Sequence, residues 1–378
     1  MNGLMVAFAF SLPYHVLRTA AAAGFHVHVL GNGPSHGLKK SRYCASYRTS
    51  AAWGNDDNDP ELILAEICEI VRERGIDLVF PSDDVSTRLL AAIRGRLPVA
   101  TTLLPELVTF DLLNDKWNFS RFARDQGARI PETRLYESLG ELKLHIQSGI
   151  LPLPLTLKPT NRSGGIGVVH IRDKSELTQL AGLNYQPILV QQHIIGETIG
   201  ISVLCKAGKI LVHAIQRRDE NRFQLFSNRD LFENAEKIVA ASGLDGPAHF
   251  DAILESATGL TYVVECNPRF WFTMYMSMIV GFNFVAYARG TAGSVFPDIA
   301  RLDGEIRLSA KAILARPWRT TRQDWAHFVY QFGDPLAYLA LRRRQFDDRD
   351  IAVEAARMTP YPQRQPKRAP GDPPMLVA

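Results

Sequence analysis

The stretch that most limits what this chain can become is Gly259 to Phe272, GLTYVVECNPRFWF. Leu260 to Val264 reads as a short apolar strand, and Glu265, Asn267 and Arg269 follow at every second position. Alternate residues of an extended chain share a face, so a carboxylate, an amide and a guanidinium point to one side at the end of a buried strand. Burying a Glu or an Arg without a partner is costly, so something charged must lie opposite. Asp251 is the natural companion. It interrupts a second apolar stretch, Ala248 to Leu254, and Ser256 to Gly259 reads as a hairpin turn joining the two strands. Two carboxylates and an amide oxygen are hard ligands of the kind Mg2+ takes when it also holds phosphates. The competing account is a salt bridge between Glu265 and Arg269 that caps the strand.

The rest of the chain is read from that point. Its 378 residues, 46% hydrophobic, suffice for two or three domains with proper cores. Net charge is +4, concentrated in Arg342 to Arg344 and the last fifteen residues, with no basic stripe interleaved with aromatics in the body of the chain. Nucleic-acid binding is therefore not expected. Cys44, Cys68, Cys205 and Cys266 stand far apart without a CxxC pair, which argues for buried thiols in a reducing compartment. The opening LMVAFAFSLP lacks a positive n-region and works better as a first strand than as a signal segment. The run Met274 to Ala288 is too short and interrupted to span a bilayer. The expectation is a cytoplasmic protein without membrane insertion.

Taken in order, residues 4 to 10, 14 to 23 and 26 to 30 predict a β-α-β opening of doubly wound type, without GxGxxG and so without a dinucleotide site at the first turn. A helix from Pro60 to Arg74 and a parallel strand from Asp77 to Phe80 follow. Asp83, just beyond that strand, is either a helix cap or a substrate contact. Asn114 or Asp115 can cap a helix running to Gln126, whose first turn holds Lys116, a cation set against the helix dipole. Leu153 to Leu157 is a strand ending at Lys158, before Thr160 to Gly167 (TNRSGGIG) and a strand from Val168 to Ile171. Gly164, Gly165 and Gly167 let such a hairpin bring its N–H groups against an anion, and Lys158 beside it favours phosphate contact over a plain turn. Pro187 to His193 is a buried strand that breaks at Ile194 to Glu197, and a hairpin follows. Arg217, Arg218 and Arg222 are a solvated face or a clamp for an anionic substrate. Asp230 to Ala241 and Phe284 to Gly293 read as helices. Beyond residue 305 the chain reads as a mainly helical appendix rich in Trp and Phe, and the Pro-rich tail from about Thr359 as disordered.

In this order the pieces resemble the ATP-grasp superfamily, in particular its ATP-dependent carboxylate-amine ligases and carboligases, over residues 75 to 295. The resemblance implies an α/β chain, α+β in its catalytic part. It would have an N-terminal doubly wound, Rossmann-like pre-ATP-grasp domain (1–110) and a two-lobed ATP-grasp domain (111–300, lobes 111–186 and 187–300), then a helical appendix (301–358) and the tail (359–378). It implies ATP and Mg2+ (or Mn2+) as cofactors. Lys116 and Lys158 would hold ATP phosphates under the loop of Ser163, Gly164, Gly165 and Gly167. Gln191 would meet the adenine amine, the backbone of Gln192, His193 and Ile194 the ring, and Glu197 the ribose. Asp251, Glu265 and Asn267 would be the metal set, and Arg269 would steady an acyl phosphate. Gln191 departs from the Glu many relatives carry, and no glycine-rich substrate loop occupies Arg217 to Phe223; Arg217, Arg218 and Asp83 remain as substrate candidates.

The activity this implies is ligation of a small-molecule carboxylate to an amine or similar nucleophile, with release of ADP and phosphate. A small-molecule kinase on the same fold and a non-catalytic nucleotide-binding regulator are the alternatives. The N-P-R placement of Arg269 leans toward acyl-phosphate chemistry, and the retained lysines and carboxylates argue against lost catalysis. The oligomeric state stays open, with a homodimer compatible.

Overall fold

The computed structural model describes residues 1–52, 60–162, 165–289 and 304–345. The N-terminal layer is β1 (Asn2–Ala7), α1 (Ser11–Ala22), β2 (His26–Gly31), β3 (Cys44–Thr49), α2 (Pro60–Arg74), β4 (Leu78–Pro81), α3 (Asp84–Ile93) and β5 (Ala100–Thr101). Its five strands are all parallel in the order β3-β2-β1-β4-β5, as expected of a doubly wound sheet. β1 is buried on both faces. Leu4 and Val6 pack toward Ile63, Ile67 and Leu90, and Met5 and Ala7 toward Tyr14 and Leu17.

Next come α4 (Leu107–Asn114), α5 (Lys116–Asp125), β6 (Thr133–Tyr136), α6 (Leu139–Ser148), β7 (Leu155–Lys158), β8 (Val169–Ile171) and β9 (Ile188–Gln192). Their strands form a four-stranded antiparallel sheet, β6-β9-β7-β8, with its own core under α6. The chain then builds β10 (Gly196–Lys206), β11 (Lys209–Arg218), β12 (Arg222–Leu225), α7 (Arg229–Ser242), β13 (Gly246–Glu255), β14 (Thr261–Asn267), α8 (Met274–Ile279), α9 (Phe284–Ala288) and β15 (Gly304–Arg307). These strands make a six-stranded antiparallel sheet in the order β14-β13-β10-β11-β12-β15. Ile199, Ile201, Val203 and Phe250 on one face meet Leu231, Ala235 and Ile238 of α7. The other face carries Leu204, Ala214 and Phe223 against Phe270, Trp271 and Met274.

The last described elements are α10 (Ala310–Ala315), α11 (Arg322–Phe332) and α12 (Pro335–Gln345). The expected, mainly helical appendix begins among the described residues with a strand. This is β15, which pairs with β12 at Ile306 and Phe223 and extends the six-stranded sheet. α11 and α12 complete the core of the N-terminal layer: Tyr330, Ala337 and Leu341 share one cluster with Tyr14 and Leu17. His15 Nδ1 and the Tyr330 hydroxyl are 2.8 Å apart, Arg18 lies over the Tyr330 ring, and Arg42 N donates to Asp334 at 3.1 Å. β12 was hidden in the sequence because three arginines masked an alternation in which Phe223 and Leu225 face inward. Ser163, Gly164, residues 290–293 of the expected helix, and the tail lie outside the described residues. No described helix is long and apolar enough to cross a membrane, and all four cysteines are free, two of them only half-buried.

Asp83 is a structural residue, which corrects its candidacy as a substrate contact. One carboxylate oxygen accepts from the amides of Phe8 (2.6 Å) and Ala9 (3.0 Å), and the other from Ser86 N at the start of α3 (2.9 Å). Burial raises its pKa, against the pull of these bonds. Removing the cap and orphaning two buried amides should cost about 2–4 kcal/mol. Asp83→Ala is therefore expected to lower the denaturation midpoint of the full chain, and Asp83→Asn, which keeps an acceptor, to lower it less.

Candidate functional site

The site grows from the pairing of β13 with β14. Asp251 stands directly opposite Glu265, and Ala252 opposite Val263, so Val264 is an extra residue bulged out of the ladder. Directly opposed residues share a face, and Asn267, two places on, shares it too. Asn267 Nδ2 donates to Asp251 Oδ2 at 3.1 Å. The three therefore meet at one corner. Among the described residues no group of three His, Cys, Asp or Glu side chains is gathered tightly enough to hold a metal ion. The corner thus offers two carboxylates and an amide oxygen, a set that suits an octahedral cation completing its shell with phosphate and water oxygens.

A residue the sequence reading passed over completes this corner. His249 Nε2 lies 3.3 Å from Asp251 Oδ1, its Nδ1 is 2.9 Å from Ser202 Oγ, and its ring stacks on Trp271. The signal was available: in AHFDAIL the histidine precedes the aspartate by two and must share its face. Gly200 makes room for it, because a Cβ there would come within 2.6 Å of the imidazole. Burial pushes the Asp251 carboxyl up, but His249, a hydrogen bond with Glu265 and the field of Lys158 outweigh it and hold the carboxyl below its usual range.

Two lysines close on the corner from other elements. Lys116, first residue of α5, is held at the helix start by Asp115, whose side chain caps Asn118 N. Its Nζ donates to Arg162 O at 2.6 Å and lies 3.3 Å from Glu265 Oε2. Lys158 ends β7, and its Nζ donates to the carbonyl of the bulged Val264 at 3.3 Å. Burial pulls the Lys158 pKa down to about 8, against the raising field of Glu265. The Glu265–Arg269 salt bridge of the competing account is absent among the described ion pairs. Glu265 faces Lys116, and the buried Arg269 forms a close ion pair with Asp84 at the head of α3. Its Nη2 also donates to Asn267 Oδ1 and its Nη1 to Phe270 O, both at 2.9 Å. Burial lowers the Arg269 pKa to about 10, opposed by Asp83, so the guanidinium stays charged at neutral pH.

The expected nucleotide contacts are placed unevenly. Gln191 is buried, its Nε2 donating to Thr133 Oγ1 at 3.0 Å. The amides of Gln192 and His193 are already spent on Glu132 O (2.8 Å) and Pro154 O (3.1 Å), so of the three hinge amides Ile194 is the one left to offer. Gly165 and Gly167, at φ +75° and +80°, turn the described end of the glycine loop, and the Tyr185 hydroxyl holds Gly167 O at 2.7 Å. Glu197 and Arg217 lie apart from this corner. Glu197 opposes Leu254 and Arg217 opposes Ile199, which puts both on the α7 side of the sheet, away from Asp251, where they pair at 3.3 Å. Arg218, one residue on, lies on the same face as Gln216 and Asp251. That face holds a lateral row, Gln216, Gly200, Asp251, Glu265, in which glycine leaves a gap between the amide and the carboxylates.

These contacts make Lys158 a sensitive reporter. In lysine-selective NMR of the ligand-free chain its amine should titrate near pH 8, and Glu265→Gln should move that midpoint lower by removing the field that supports the charge. Its depressed pKa also means that between about 8 and the ordinary 10.5 the unfolded chain binds more protons, so this group's contribution to stability rises with pH across that window.

A family model described as an ATP-grasp domain matches residues 113–273. Among solved structures, an N5-carboxyaminoimidazole synthetase from Staphylococcus aureus complexed with ADP aligns over 78% of this chain and 78% of its own, at 13% identity and a TM-score of 0.61. The biotin carboxylase domain of a Hydrogenobacter thermophilus 2-oxoglutarate carboxylase, in complex with MgADP, ADP and bicarbonate, aligns over 78% and 70%, at 15% identity and 0.59. An L-amino acid ligase from Bacillus licheniformis aligns over 75% and 72%, at 19% identity and 0.55. These likenesses show the fold, and the domain match identifies residues 113–273 as an ATP-grasp domain.

Proposed function

We propose that this chain is an ATP-dependent ligase that activates a small-molecule carboxylate as an acyl phosphate and joins it to an amine, releasing ADP and phosphate. The observation that carries the reading is the convergence of Lys116, Lys158, Asp251, Glu265 and Asn267 at one corner, with Arg269 fixed beside it. The corner suits a polyphosphate. Lys158 is a desolvated cation whose hydrogen-bond acceptor among the described residues is a carbonyl, and an anion would supply the charge that burial has stripped from its surroundings.

In this reading Lys116 and Lys158 hold phosphate oxygens, Ile194 offers its amide to the adenine ring, and Gln191 lines that end. Asp251, Glu265 and Asn267 would hold Mg2+ or Mn2+, which when bound neutralises charge on the transferred group. A carboxylate is a poor acyl donor because its leaving group would be oxide. Attack of a carboxylate oxygen on the terminal phosphorus expels ADP, and attack of the amine nitrogen on the acyl carbon then expels phosphate, with one amine proton lost. Arg269, pinned by Asp84 and Asn267, meets the charge that grows on the phosphoryl oxygens without having to reorganise. The relatives whose printed names include a ligase and a synthetase support the same class of chemistry.

The test is ADP and phosphate release from Mg-ATP over a panel of carboxylates with and without amines. Equal release of both products, with a new amide, is expected when a matched pair is present. A stable phosphorylated product without amine dependence would instead identify a kinase. Lys158→Ala should weaken ATP binding while leaving stability unchanged or raised, because the substitution removes a buried cation. Arg269→Lys, which keeps a charge near Asp84 but loses the two-pronged fork, should lower turnover about a hundredfold with nucleotide affinity retained.

A further inference from the structure

We infer that the surface of α10–α12 docks on an anionic lipid bilayer, a property independent of the ligase reading. Seven of the fourteen exposed large apolar side chains among the described residues fall between Leu314 and Leu339. The helices have two apolar faces. On α11, His327 and Tyr330 turn inward, while Trp325, Val329 and Phe332 recur at i, i+4 and i+7 on the outside; on α12, Ala337 and Leu341 face in, and Leu336 and Leu339 face out. Ring contacts run from Trp325 to Phe328 to Phe332 and across to Tyr338, so the two helices share one patch. A patch of this kind on a folded chain marks an interaction surface.

The charge on this module selects the occupant. Both acidic residues between 308 and 341, Asp324 and Asp334, are buried. Between 308 and 341 the exposed charges are Lys311, Arg316, Arg319 and Arg322, and none of the four makes an ion pair among the described residues. Two copies meeting through this face would set four cations against four cations, which disfavours a homodimer here. Trp318, on the turn Pro317–Arg319 between two of the arginines, is 78% exposed, the highest value among these large apolar side chains. Protruding Trp, Leu and Phe beside Arg suit the headgroup boundary of a bilayer, which accepts them without a matching pocket, whereas an acidic protein helix would need a groove.

The experiment is sedimentation of the full chain with vesicles of phosphatidylcholine alone and of phosphatidylcholine with phosphatidylglycerol, at low and high salt. Binding is expected to the anionic vesicles only, to fall as salt rises, and to quench tryptophan emission when the lipids are brominated. The triple substitution R316Q, R319Q and R322Q touches no packed residue and should weaken binding about a hundredfold, roughly tenfold or less per charge. Trp318→Ala should weaken it further while leaving ATP binding unchanged. Failure to sediment with anionic vesicles at low salt would overturn the proposal, as would equal binding by the triple variant. So would a concentration-dependent dimer, measured by light scattering without lipid, that dissociates on Trp318→Ala.

Discussion

Everything at the candidate site depends on the lateral register of the six-stranded sheet. Because side chains alternate with a period of two, a slip of one residue between β13 and β14 would send Glu265 and Asn267 into the core under α7 and leave Asp251 alone. The bulge at Val264 absorbs the mismatch between the apolar part of β14 and its polar end. It also presents a backbone carbonyl to Lys158, so the irregularity that sets the register helps position a cation from a different sheet.

The second dependence is electrostatic. A buried arginine needs compensation, and Arg269 draws it from Asp84 at the head of α3, a residue of the N-terminal layer. The adjacent Asp83 anchors that helix start to the β1–α1 loop through Phe8 and Ala9. The N-terminal sheet thereby fixes the direction of a guanidinium more than 180 residues away in sequence, which gives it a part in the site without supplying a nucleotide-binding loop of its own.

The sequence made the strands legible where apolar runs were uninterrupted and made the site legible where polar residues broke them. Asp251, Glu265, Asn267, Lys116 and Lys158 were conspicuous because each is a charge or amide with no local reason to be where it is. The sheet face of Glu197 and Arg217 was not legible because face assignment needs a register, and the two glycines in GETIG give no alternating pattern from which to read one. Asp84 was overlooked because its neighbour Asp83 already satisfied the local need for a helix cap. β12 and the edge strand β15 escaped notice since short strands rich in Arg and Glu look like solvent-facing loops until their partners are known.

The packing of α11 and α12 against α1 also orders events during synthesis. Tyr14, His15 and Arg18 are covered by Tyr330, and Ser41 and the Arg42 amide bond to Asp334, so the doubly wound layer, made before α11 and α12, cannot close its core until those helices appear. At about 5–20 residues per second, some 300 residues separate the two by tens of seconds. Through that interval the doubly wound sheet carries an open aromatic face, a surface on which other chains can collect.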